Sequence, residues 1–170
     1  MLILDPCKCS GCRRCEVQCS FHHTGKVGRS LARIKVVKME DIGVDFPISC
    51  RHCEERHCTD CPQSAITIGP LGEIVIDGDL CIGCGTCEDL CPIGAIELHE
   101  EFPYVCDLCQ GDPRCVKACT VGALAFAPDE KERVSLKAQE KGLTPEQKRL
   151  RYALSSSQTM REKWVSAGRA

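Results

Sequence analysis

An α+β architecture is expected for this chain: short β-hairpins and loops held by cross-links rather than by apolar packing, followed by a helical C-terminal arm. Three observations lead there. Of 170 residues, 17 are Cys, while Phe, Trp and Tyr together make up only 4%, so burial of apolar side chains cannot hold the fold alone. Every cysteine lies between Cys7 and Cys119, in four tight runs. Charge also divides along the chain. Residues 1–130 carry 12 Lys and Arg against 20 Asp and Glu, a net of −8, and residues 131–170 carry 10 against 4, a net of +6. An acidic, cysteine-dense body (1–127) and a basic, cysteine-free tail (128–170) are therefore expected to do different jobs.

No stretch approaches the roughly 18 apolar residues that a membrane span needs. The start, Met1-Leu-Ile-Leu-Asp-Pro6, has no basic region and reaches Asp5 after a short apolar stretch, which argues against a secretory signal. Arg13-Arg14 has no hydrophobic segment after it and reads as surface charge. A cytoplasmic location is expected, where structural disulfides are rare. The odd cysteine count and tight spacing point the same way, toward metal.

The first run is Cys9, Cys12, Cys15, Cys19 and the third is Cys81, Cys84, Cys87, Cys91 with Pro92 after it; both are spaced x2, x2, x3. Three thiolates so spaced wrap one face of a cubane iron-sulfur cluster, and the fourth ligand comes from elsewhere. In two-cluster ferredoxins the last Cys of such a run ligates the other cluster, and a following Pro fixes φ without an N–H to satisfy. The second run, Cys50, Cys53, Cys58, Cys61 with Pro62 (x2, x4, x2), and the fourth, Cys106, Cys109, Cys115, Cys119 (x2, x5, x3), are looser variants. Cys7 is left over.

Between the second and third runs, residues 65–77 place two β-rich segments around Gly69-Pro-Leu-Gly72, a hairpin signal. Residues 95–98 and 123–126 read as further strands, each a small offset after a run. Cys61-Pro-Gln-Ser-Ala-Ile66 and Cys91-Pro-Ile-Gly-Ala-Ile96 repeat one unit, so an internal duplication is visible. In the tail, residues 128–142 read as one short helix. Thr144-Pro-Glu-Gln147 is a capping box with Pro at the first helical position, opening a second helix over about 145–154. Leu136, Leu143, Leu150, Tyr152, Leu154, Met160, Trp164 and Val165 are too many apolar residues for a solvated segment, so the tail is expected to pack on a partner subunit.

On these residues, 50–98 resembles a two-cluster bacterial ferredoxin, and the four runs over 9–119 resemble the four-cluster electron-transfer subunits of molybdenum and tungsten oxidoreductases. The resemblance implies two ferredoxin-like modules, an inner one (50–98) and an outer one (1–49 with 99–127). It implies four [4Fe-4S] clusters held by Cys50, Cys53, Cys58 and Cys91; Cys81, Cys84, Cys87 and Cys61; Cys9, Cys12, Cys15 and Cys119; and Cys106, Cys109, Cys115 and Cys19. Residues 5–23 are similar to the start of small iron-sulfur subunits that accompany tungsten aldehyde oxidoreductase-type enzymes, and carbon monoxide dehydrogenase ferredoxins share that start. The short chain, the lack of an apolar span and the basic tail resemble the electron-transfer subunit of tungsten-dependent benzoyl-coenzyme A reductase.

Two departures matter. The family usually has x3 before the last Cys of the second run, and here x2 precedes Cys61, which leaves three clusters open beside four. Cys7 is open as a spare thiol, a substitute ligand or a buried small residue. His52 and His57 are expected around the second run rather than on metal, and His22 and His23 either as N–H donors to cluster sulfurs or as an exposed loop. No nucleophile-base constellation and no P-loop is present, and a cluster with four protein thiolates has no open iron site. The chain is therefore expected not to catalyse by itself. It should carry electrons between a soluble donor or acceptor and a large tungsten- or molybdenum-bearing catalytic subunit, as part of a hetero-oligomer that binds no nucleic acid. A subunit of a carbon monoxide dehydrogenase or hydrogenase, and a zinc-stabilised interaction module, are the alternatives.

Overall fold

β-branched stretches between the cysteine runs pair two by two in the computed structural model, which describes residues 1–128, 133–138 and 142–166. The expected hairpin after the second run forms as β4 (Ile66–Ile68) and β5 (Ile74–Ile76), antiparallel with Ile66 opposite Ile76. After the third run, β6 (Glu97–His99) turns back into β7 (Phe102–Tyr104). The strand after the fourth run is β8 (Leu124–Phe126), and it pairs with β1 (Leu2–Leu4), so the two ends of the body close on each other. The sequence reading missed the longest hairpin, β2 (Lys35–Met39) with β3 (Val44–Ile48), in which Val36, Met39, Val44, Phe46, Pro47 and Ile48 are buried. Short helices follow the cysteine loops: α1 (Arg14–Thr24), α2 (Thr86–Leu90) and α3 (Arg114–Ala118).

Two apolar clusters result. One gathers Leu2, Ala32, Ile34, Val36, Leu108 and Leu124 around Cys15, Cys19, Cys106 and Cys115. The other gathers Met39, Phe46, Ile48, Ile66, Ile74, Ile93 and Ile96 around Cys58, Cys87 and Cys91. Cys50 packs against both. The β2–β3 hairpin feeds each cluster from one side, Val36 into the first and Met39 into the second, so residues before 50 serve both halves.

The tail departs from expectation. Of the short helix expected over 128–142, residues 129–132 and 139–141 lie outside the described residues, and residues 133–138 are not helical. They run along the second cysteine run instead. Val134 O accepts the Glu54 N–H at 3.2 Å, the Glu55 carboxylate accepts the Leu136 N–H at 3.0 Å and the Ser135 hydroxyl, and His57 Nε2 lies 2.9 Å from Leu136 O. Partners on another part of the protein thus replace the bonds a helix would make.

The second helix, α4, begins at Pro145 as the capping box requires, with Gln147 N–H to Thr144 Oγ1 at 3.3 Å and Thr144 N–H to Gln147 Oε1 at 2.9 Å. It continues to Ser166, well past Leu154. Its length comes from docking on its own body. Lys148, which is 1% exposed, donates its Nζ to Glu88 O (3.0 Å) and Asp89 O (2.7 Å) at the end of α2. Arg149 donates to Gly94 O at 2.9 Å. Tyr152 meets Phe46 edge-on at 5.8 Å, Ala153 and Ser157 are fully buried, and Arg161 reaches Ile42 O at 2.8 Å. Leu136, Tyr152, Leu154 and Met160 pack against the second apolar cluster, whereas Leu150 and Val165 face outward.

Candidate metal centres

Each cysteine run is shaped by one repeated backbone feature. The residue two places after the first Cys has positive φ in all four runs: Gly11 (63°), His52 (47°), Gly83 (65°) and Leu108 (59°). That conformation turns its N–H inward. The N–H groups of Gly11, His52 and Leu108 hydrogen-bond the sulfurs of Cys9, Cys50 and Cys106. A second left-handed residue follows the middle of each loop, at Arg13, Arg56, Gly85 and Gln110, so successive N–H groups converge on a concavity that suits negative charge. Gly83 is also required sterically, because a Cβ there would lie 2.5 Å from Glu101 O.

The last Cys of three runs has its own repeated turn. Cys61, Cys91 and Cys119 are each followed, three residues on, by a left-handed residue: Ser64, Gly94 and Gly122. In two of these turns the next N–H folds back onto sulfur, from Ala95 to Cys91 Sγ and from Ala123 to Cys119 Sγ, both at 3.2 Å. The left-handed turn residue is what both copies of the Cys-Pro-x-x-Ala-Ile unit share. Cys19 differs, since it sits inside α1 and takes its N–H from the distant Arg33 at 3.2 Å.

Sixteen sulfurs are brought together in four sets. Cys61 joins Cys81, Cys84 and Cys87 around one cavity, and Cys119 joins Cys9, Cys12 and Cys15 around another. Cys91 is close enough to repel charge on Cys50, Cys53 and Cys58, and Cys19 stands in that relation to Cys106, Cys109 and Cys115. The sets also neighbour one another in order. Cys15 lies near Cys115, Cys106 near Cys50, and Cys58 near Cys87. Of the sixteen, only Cys12 and Cys84 are exposed.

Burial keeps these thiols protonated until metal takes the proton's place. Desolvation, helped by the neighbouring Glu16 carboxylate, pushes Cys15 up to about 12, and desolvation with the nearby Cys91 and Cys53 sulfurs does the same to Cys58. Cys87 and Cys106 rise to about 11, chiefly by desolvation. A buried thiol of this kind is a poor free nucleophile and a good ligand once a cation stabilises its anion. Sets of four cysteines rimmed by inward N–H donors fit [4Fe-4S] clusters, which need four thiolates and are tuned by hydrogen bonds to sulfur.

The histidines divide. His52 Nδ1 lies 2.8 Å from Gly72 O and ties the second run to the β4–β5 turn. His23 does approach sulfur, but that of the fourth run: its Nε2 lies 3.7 Å from Cys109 Sγ and 3.6 Å from Asp107 Oδ1. Desolvation and the Arg33 guanidinium hold its imidazole down to about 4. Cys7 is exposed, which removes the buried-residue reading for it. Sequence reasoning missed Arg13, His52 and Leu108 as loop formers, for which Gly11 and Gly83 at the offset of His52 and Leu108, and Gly85 at that of Arg13, were the available signal.

Residues 74–97, which contain the whole third run, match the 4Fe-4S binding domain. Over 116 residues the protein is 36% identical to the polyferredoxin-like subunit of an aliphatic sulfonate oxidoreductase from Pyrococcus furiosus, covering 66% of each. The chain is a [4Fe-4S] ferredoxin-type protein. This ferredoxin-type chain is also 36% identical over 110 residues to a subunit of the anaerobic dimethyl sulfoxide reductase of Escherichia coli, covering 57% of itself and 54% of that subunit. It spans less than two thirds of the length of either relative. Among solved structures it is similar to the active-site complex BamBC of benzoyl coenzyme A reductase with 1,5 dienoyl-CoA, at 26% identity and a TM-score of 0.45 over 98% of this chain and 96% of that one. Among the described residues no helix is long and apolar enough to cross a membrane.

Proposed function

We propose that this chain is a multi-cluster electron-transfer subunit, with no active site of its own, that wires a separate catalytic subunit to a redox partner. The observation that carries the reading is the contact order of the sulfur sets. Cys9, Cys12, Cys15 and Cys119 form one terminal site; Cys106, Cys109, Cys115 and Cys19 the next; Cys50, Cys53, Cys58 and Cys91 the third; and Cys81, Cys84, Cys87 and Cys61 the other terminal site. When bound, [4Fe-4S] clusters supply one-electron carriers. The protein's part is to hold neighbouring sites close together and to bury the two middle ones. It opens the terminal ones at Cys12 and Cys84. The names of its relatives, subunits of oxidoreductases, support a catalytic partner. The likeness of residues 5–23 supports a tungsten or molybdenum enzyme of the aldehyde oxidoreductase type, a benzoyl-CoA reductase being the first candidate. The arm's outward face, with Leu150 and Val165, is the part of the tail left for that partner. Cysteines grouped as metal ligands and not paired as disulfides suit the cytoplasm.

Anaerobic native mass spectrometry of the protein purified from its own host tests both halves of the proposal. A mass with four [4Fe-4S] units and a large cofactor-bearing subunit is expected. Zinc on an isolated chain overturns it.

A further inference from the structure

We infer that the face around Cys84 is the docking surface for a redox protein that presents lysines and arginines around an exposed prosthetic group. The inference rests on the electron-carrying role proposed above and adds which end takes which kind of partner. Cys84 is the exposed sulfur of its terminal set. Beside it stand Ile82, 64% exposed, and Leu80, 49% exposed, with the Phe102 ring packed over Gly78 at the loop's entry. Exposed apolar side chains at a sulfur ligand make a dry contact centre of the sort interfaces use.

The rim has one sign. Between Arg56 and Arg114 the sequence holds eleven Asp and Glu and neither Lys nor Arg. Asp77, Asp79, Glu100 and Glu101 are exposed, and the third-run loop packs directly on the β6–β7 turn that carries the last two, since Gly83 abuts Glu101. Among the described residues, the cations that reach this region from other elements are paired: Lys148 with Glu88 O and Asp89 O, Arg149 with Gly94 O and Glu97, Lys35 with Glu97, and Arg33, which lies over the Tyr104 ring, with Asp107. The opposite terminus carries more cations, since residues 8–38 hold eight Lys and Arg against one acid, Glu16, with Asp45 beside Gly11 in the Cys12 loop. Charge complementarity therefore steers a basic partner to Cys84 and away from Cys12.

Cytochrome c, a basic protein with an exposed haem edge, serves as the probe. The cluster-loaded chain, reduced anaerobically, gives up one electron and the ferric haem becomes ferrous, a reaction followed by stopped flow at several salt concentrations. The triple variant Asp79→Lys, Glu100→Lys, Glu101→Lys is expected to slow the second-order rate roughly tenfold at low salt and to flatten its salt dependence. Glu40→Lys with Asp41→Lys, two exposed acids in the β2–β3 turn, should change it less than about twofold. Ile82→Ala should slow it at high salt as well. Calorimetric titration of the oxidised chain with cytochrome c gives a second readout, in which only the triple variant and Ile82→Ala weaken binding. Equal slowing by both charge changes, or none by the triple variant with iron content intact, overturns the docking surface alone. A chain that holds no reducible cluster overturns the surface and the electron-transfer reading together.

Discussion

The two apolar clusters solve one problem by different means. Each packs on cysteine runs whose loops share the same left-handed positions, yet the first is closed by pairing the body's distant ends and the second by an added helix. In the first, β1 and β8 seal the site with Leu2 and Leu124 beneath it. In the second, α4 lies over the β2–β3 hairpin and the end of α2, and a lysine buried on backbone carbonyls does what a paired strand does elsewhere. The difference teaches that the cysteine loops supply ligands but leave their outer faces open. Whatever segment is at hand must cover them.

The largest expected effect tests the cross-over of ligands inside the second half. Cys61→Ala should remove one cluster, about four iron atoms by direct assay, and leave the other sites loaded; unchanged iron would show that Cys61 is no ligand. Next, Leu2→Ala opens a cavity under the β1–β8 closure and should cost about 3 kcal/mol, read as a lower urea midpoint for cluster loss. Lys148→Met keeps the length but leaves Glu88 O and Asp89 O unpaired, and should cost about 2 kcal/mol. Were it neutral, the helix would owe its place to its other contacts, among them those of Arg149, Tyr152, Ala153 and Arg161. Thr144→Ala removes the cap of α4 and should cost about 1 kcal/mol, loosening the second half without touching the first.

Much of the site was legible because ligand chemistry is written locally. A cubane takes three thiolates from one loop, so x2, x2 spacing is visible without any fold, and the Cys-Pro-x-x-Ala-Ile repeat encodes a left-handed turn three residues after its cysteine, at Ser64 and Gly94. The hairpin over 65–77 was equally local. The β2–β3 hairpin escaped because Pro47 and the Lys35 and Lys38 charges dilute its apolar alternation. The tail was misread for a different reason: its apolar residues were correctly seen to need a surface, and nothing local says that the surface belongs to the same chain.

By itself, then, the sequence determined the kind of cofactor and the local spacing of the cysteines, since these depend on residue types a few positions apart. Only the tertiary structure decided which sulfur sets touch, that Cys12 and Cys84 alone among the sixteen are exposed, and that α4 folds back on the body. Those outcomes turn on packing between residues as much as 124 positions apart, as Leu2 and Phe126 are, where burial and the satisfaction of backbone carbonyls choose among arrangements that local spacing leaves equal.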